Sequence, residues 1–153
     1  MFSAVAEQMG MDYQTAVQVS SGFAGGMYLG SVCGAVTGGI MAIGLKYGGV
    51  DPKAQLEAFK RNEYPPPATV VREFADRFRA QHRSINCPDL LGVDVSKPEI
   101  YKKLSADVSK PEALKAAKDA LGGRDAKEVL AACRGFVKDA ATIVSELLND
   151  APR

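Results

Sequence analysis

A chain of 153 residues, 46% hydrophobic and 24% charged, has the size and composition of one globular domain. A formal net charge of +1 supplies neither the basic patch of a nucleic-acid binder nor an acidic tail. Three widely spaced cysteines match neither a secreted disulfide framework nor a Cys-x-x-Cys zinc site, and no positively charged start precedes an apolar run. A reducing, cytoplasmic setting is therefore expected.

Phe2, Val5, Ala6 and Met9 recur at three- and four-residue steps, which predicts a helix over Met1 to Met9 closed by Gly10. Asp12 is placed to cap a second helix over Tyr13 to about Ser21. From Tyr13 to Leu45 no residue is charged, and Gly22, Gly26, Gly30, Gly34 and Gly38 follow in steps of four. Glycine inside a helix costs about 1 kcal/mol relative to alanine. The series therefore predicts a compensating close approach of another backbone. Phe23 to Gly30 is expected to form a glycine-rich turn. Ser31 to Tyr47 is expected to be a buried central helix, apolar nearly all round through Val32, Ala35, Val36, Ile40, Met41, Ile43 and Leu45. A membrane span is the weaker explanation: polar residues interrupt the stretch, and Val32 to Leu45 falls short of the ~20 residues needed.

Gly48-Gly49 ends that helix, and Asp51-Pro52 opens the next in the favoured cap-then-proline order. Pro65-Pro66-Pro67 breaks the chain before a helix whose stripe is Val70, Val71, Phe74, Phe78 and His82. Asp94-Val95-Ser96-Lys97-Pro98-Glu99 recurs as Asp107-Val108-Ser109-Lys110-Pro111-Glu112, each copy reading as a Ser-x-Pro-Glu helix start. Residues 97–132 are expected to be an enlargement of solvated helices within a single domain spanning 1–153. A last helix, about Asp125 to Leu148, turns Val129, Leu130, Cys133, Val137, Ala140, Ala141, Val144 and Leu148 toward the core. No stretch alternates with period two. The expected fold is all-α, a compact helical bundle around the glycine-rich helix.

The cysteines carry the chemistry in this pattern. Cys33 is expected one turn into the central helix, where the positive end of the dipole favours thiolate. Gly30 and Gly34 leave room around its sulfur for a partner thiol, a metal or a cofactor. Cys87, followed by Pro88, reads as the N-cap of a short helix, and Cys133 as a core-facing cysteine beside Arg134. His82 is a helix-end histidine with no second histidine to make a metal site, and no Cys-x-x-Cys-His haem motif exists. Two functions fit. In one, Cys33, Cys87 and Cys133 converge as a redox or metal-linked thiol site. In the other, the cysteines only pack and the glycine face forms a homodimer.

The residues around two of these cysteines also follow a known pattern. Ser21 to Gly26, Cys33-Gly34-Ala35-Val36-Thr37-Gly38-Gly39 and Gly44 to Gly48 resemble the C-GCAxxG-C-C family of redox-active proteins. So do Phe74 to Phe78, Ser84 to Cys87, Leu90 to Gly92, and Cys133 with Val137 to Ala141. The resemblance implies a redox role through four clustered cysteines, suited to an iron–sulfur cluster or a disulfide relay with an unknown redox partner. Three of the four are present. The family's first would fall just before Met1, which implies a start further upstream carrying a fourth thiol.

Overall fold

In the computed structural model, which describes residues 1–49, 51–63, 66–104 and 110–150, caps, prolines and glycines set the helix limits. Helix α1, Phe2–Ala6, continues through a 3₁₀ turn to Met9 and stops at Gly10, whose φ of +84° no helical residue adopts. Asp12 accepts a 2.9 Å hydrogen bond from the Thr15 amide and opens α2, Tyr13–Ser20. Asp51 accepts one of the same length from the Lys53 amide and opens α4, Pro52–Lys60, which follows α3, Gly34–Tyr47. Then come α5, Pro66–His82; α6, Cys87–Leu91; α7, Pro98–Leu104; α8, Pro111–Ala120; and α9, Ala126–Asp150. The fold is all-α. Among the described residues the single β feature is an isolated antiparallel bridge between Val32 and Asn86.

Helix α3 packs against α1, α5 and α9. Val36 and Ile43 of α3, Phe74 and Phe78 of α5, and Val144 of α9 are its fully buried partners. Gly39 fits because the Phe74 ring occupies the space a Cβ would take. A second apolar cluster gathers Leu91, Val95, Ile100, Ala117, Leu121 and Val129. Helix α9 contributes to both clusters, and Phe136 touches each. Among the described residues no helix is long and apolar enough to cross a membrane.

Several expectations need correction. The central helix begins at Gly34, not Ser31, because Ser31 and Cys33 are held to residues 85–87 by backbone hydrogen bonds, which keeps them out of the helix. Cys33 is thus the N-cap of α3. Asn86, not Cys87, is the N-cap of α6, and Cys87 is its first helical residue. The four-residue glycine series does not form one helical stripe either. Gly22 lies in a 3₁₀ turn, Gly26 and Gly30 have positive φ, and only Gly34 and Gly38 lie in α3. Helices do start at both repeated Pro-Glu pairs, yet Ser96 bonds to Asp94 rather than capping α7, and Lys110 is the N-cap of α8. Asp107 to Ser109 of the second copy lie outside the described residues. The segment is also less solvated than expected, since Ile100, Ala117 and Leu121 are buried.

Candidate functional site: a three-thiol cavity

Two backbone hydrogen bonds build the site. The Cys33 amide donates to the Ile85 carbonyl and the Cys87 amide to the Ser31 carbonyl, both at 2.8 Å, on either side of the Val32–Asn86 bridge. This antiparallel pairing places Cys33 and Cys87 on one face as diagonal neighbours, whose Cα atoms stand about 7–8 Å apart in regular sheets. The third cysteine arrives from α9, where Leu130, Cys133 and Val137 recur at helical spacing on the facing side. All three cysteines line one cavity of about 440 Å³. They are free thiols, Cys33 and Cys87 buried and Cys133 half-buried.

The walls are apolar. Met1, Phe2, Phe23, Met41, Leu91, Val95, Leu104 and Val129 are among the residues that form them. Among the described residues no Lys, Arg, His, Asp or Glu side chain lines the space. Ser21, Ala24 and Tyr101 line it and are also exposed, so they mark its mouth. Tyr101 meets the ring of Tyr28 edge-on there, centroids 5.5 Å apart.

Burial decides the state of the sulfurs. It raises Cys33 above the ordinary cysteine range, although the Ala35 and Val36 amides at the start of α3 and the nearby amino terminus pull the other way. Cys87 is pushed up to about 12 by burial, then by the charges of Cys33, Cys133 and the neighbouring Asp94. Cys133 is raised by burial and by Cys33, against a smaller opposing effect of Arg134. The expected dipole effect on Cys33 is therefore present but outweighed, and at neutral pH the cavity holds three protonated thiols. Cys33 is the one of the three that also receives the Ala35 and Val36 amides and the amino terminus, each of which favours its thiolate.

The glycines play separate parts. Gly34 lines the cavity, and a Cβ there would come within 2.8 Å of the Phe23 carbonyl oxygen. Gly30 stands away from it, with φ +62° and a Cβ position 2.8 Å from Asp94 Oδ1 and 3.0 Å from Ser96 Oγ. His82 also lies elsewhere, its ring 4.5 Å from Phe78 and 5.1 Å from Phe136. Its Nε2 approaches Asp139 Oδ2 at 3.2 Å without hydrogen-bond alignment. The α9 face with Val129, Leu130, Cys133 and Val137 was legible in its spacing, but its meeting with Cys33 and Cys87 was not, because the bridge joins residues more than fifty positions apart.

A metal or iron–sulfur cluster asks for a tighter arrangement. Among the described residues no three His, Cys, Asp or Glu side chains are gathered closely enough to hold a metal ion. Cys33, Cys87 and Cys133 share a space without meeting at a point, so as they stand they do not fit such a group.

An all-helical fold with thiols facing one apolar cavity defines a cysteine-centred helical protein. The chain belongs to the C_GCAxxG_C_C family of putative redox-active proteins, whose profile matches residues 1–147. No curated protein and no solved structure matches it.

Proposed function

We propose that the protein carries out dithiol–disulfide exchange, with Cys33 as the attacking thiol, Cys87 as the exchange partner that resolves the mixed disulfide, and Cys133 as a third thiol in the same cavity. The convergence of three free cysteines on one cavity carries this reading. Cysteines that only pack are expected in separate sealed pockets, and family membership supports a redox role.

The step balances with a disulfide R–S–S–R as oxidant. Cys33 loses its proton to solvent and its thiolate attacks one sulfur, forming Cys33–S–S–R and expelling R–S⁻. Cys87 then loses its proton, attacks the Cys33 sulfur and expels the second R–S⁻. Two electrons pass from the protein to the disulfide, and the expelled thiolates take up the two protons released. Closing the bridge requires approach, since disulfide-linked Cα atoms usually lie about 4.4–6.8 Å apart. That approach falls to the five-residue α6, which begins at Cys87 and is tied across the bridge by the Cys87 amide alone.

Treating the reduced chain with excess disulfide and mapping the product by mass spectrometry tests this. The expected result is a Cys33–Cys87 bridge with two thiols released. Cys33→Ser should slow the first release, while Cys87→Ser should leave Cys33 capped by R–S. Three independently capped cysteines in the unsubstituted chain would overturn the proposal.

A further inference from the structure

The walls of the cavity define what can reach the thiols. We infer that the disulfide exchanged here is a small, uncharged, apolar molecule, selected by a cavity whose described lining holds no charged side chain. The inference rests on the exchange reading above and adds the class of substrate.

Three observations carry it. The volume of about 440 Å³ lies within the range of small-ligand pockets and is too small for a folded protein partner to enter. Among the described residues its lining is made of aliphatic, aromatic, methionine, glycine, serine and cysteine residues, with no charged side chain. An ammonium carried into such a space loses its hydration without gaining a partner, and a carboxylate meets only the Met1 amino group, whose burial disfavours its charged form. Nearby charges do not change this. Asp94 stands beside Cys87 but outside the lining, its Oδ1 accepting from the Ser96 amide at 3.0 Å and the Ser96 hydroxyl at 2.5 Å. The Met1 amino group near Cys33 is itself desolvated and held below its ordinary pKa. Finally, the mouth is partly aromatic: Tyr101 belongs to the lining, is 40% exposed and meets Tyr28 edge-on. An apolar or aromatic substituent finds a contact surface there.

The same walls explain why the thiols are kept protonated. A neutral dithiol and a neutral disulfide enter and leave as neutral species, and charge develops only when a proton leaves Cys33 at the start of α3. Among the described residues no histidine or carboxylate lines the cavity to take that proton, which leaves to solvent at the mouth.

Two chromogenic disulfides of similar size provide the test at pH 8 on the reduced full chain. One is 2,2′-dithiobis(5-nitropyridine), which is neutral. The other is 6,6′-dithiodinicotinate, a dianion. Each rate is divided by the rate of the same reagent with a small free thiol. The expected result is a normalised preference for the neutral reagent of about a hundredfold. Ser21→Lys, which adds a cation at the exposed rim, should narrow that preference by raising the dianion rate. Equal normalised rates, within about threefold, together with a mapped Cys33–Cys87 bridge would overturn the substrate class and leave dithiol exchange standing. A strong neutral preference without any internal bridge would support charge selection and overturn the exchange reading.

Discussion

Burial holds the Cys33, Cys87 and Cys133 thiols above the ordinary cysteine range, Cys87 at about 12. An unfolded chain ionises its cysteines near pH 8.5, so between that pH and the folded values the native protein binds more protons than the unfolded one. The stabilising contribution is therefore complete below the ordinary cysteine pKa and is lost as pH rises through the folded values. The urea midpoint should fall between pH 8 and pH 11, and Cys87→Ala should flatten that fall. An identical pH dependence in the two proteins would remove Cys87 from the account. The α3 glycines give an internally controlled pair. Gly34→Ala drives a Cβ to within 2.8 Å of the Phe23 carbonyl oxygen, a backbone atom that cannot rotate away, and should cost about 1–3 kcal/mol. Gly44→Ala meets nothing within 4 Å in the same helix and should stabilise by about 0.5–1 kcal/mol. Thermal or urea denaturation reads both, and equal effects of the two substitutions would contradict the packing described.

The segment before α3 is bent in an uncommon way, with Gly25, Gly26, Met27 and Tyr28 all left-handed at φ values of 58°, 69°, 63° and 55°. Glycine adopts this at no steric cost, but Met27 and Tyr28 each carry roughly 1–2 kcal/mol of strain. The turn brings Gly25 to the cavity and Tyr28 to its rim against Tyr101. Met27→Gly should relieve strain without touching the Tyr28–Tyr101 contact and should stabilise the folded chain, less the entropy that glycine adds to the unfolded one. A net gain of about 0.5 kcal/mol in urea denaturation is expected, whereas a loss beyond 1 kcal/mol would mean that the Met27 side chain outweighs its backbone. Legibility in the sequence divides at this scale. Helices stopped by Gly10 and opened by Asp12 and Asp51 were readable because caps act within four residues. The start of α3 was not, since it depends on hydrogen bonds from Cys33 and Cys87 to carbonyls on the other side of the bridge. Cysteine identity and the glycine-flanked Cys33 likewise pointed to the site. Its apolar walls and the protonated state of its thiols depend on which faces of α6, α7 and α9 meet, which no local pattern records.

Across the whole molecule, α9 is the element that joins two cores. Its later half supplies Ala140, Ile143, Val144 and Leu147 to the cluster around α3 and α5, while Ala126 and Val129 belong to the cluster with α7 and α8. Cys133 sits between these halves and Phe136 packs against both, its ring 6.4 Å from Phe78. Neither α7 nor α8 contributes a residue to the first cluster, and each packs mainly on the other. Such a unit opens at lower free energy than the helices around α3, because fewer apolar contacts are lost when it detaches. Native-state hydrogen exchange should therefore show α8 amides opening below the global unfolding free energy, with Val36 to Ile43 of α3 opening only globally. Phe136→Ala removes the side chain shared by the two cores. Since Phe136 is only half-buried, the cost should be about 2–3 kcal/mol, less than the 3–5 kcal/mol of a fully buried phenylalanine. The loss should fall on α3 and α8 alike, because Phe136 belongs to both clusters. It should also loosen the wall that holds Cys133, so that Cys133 reacts faster with a neutral disulfide while Cys33 still reacts first. Loss of protection confined to α8, with α3 unchanged, would show that Phe136 serves the second cluster alone and that the two cores are coupled through other residues of α9.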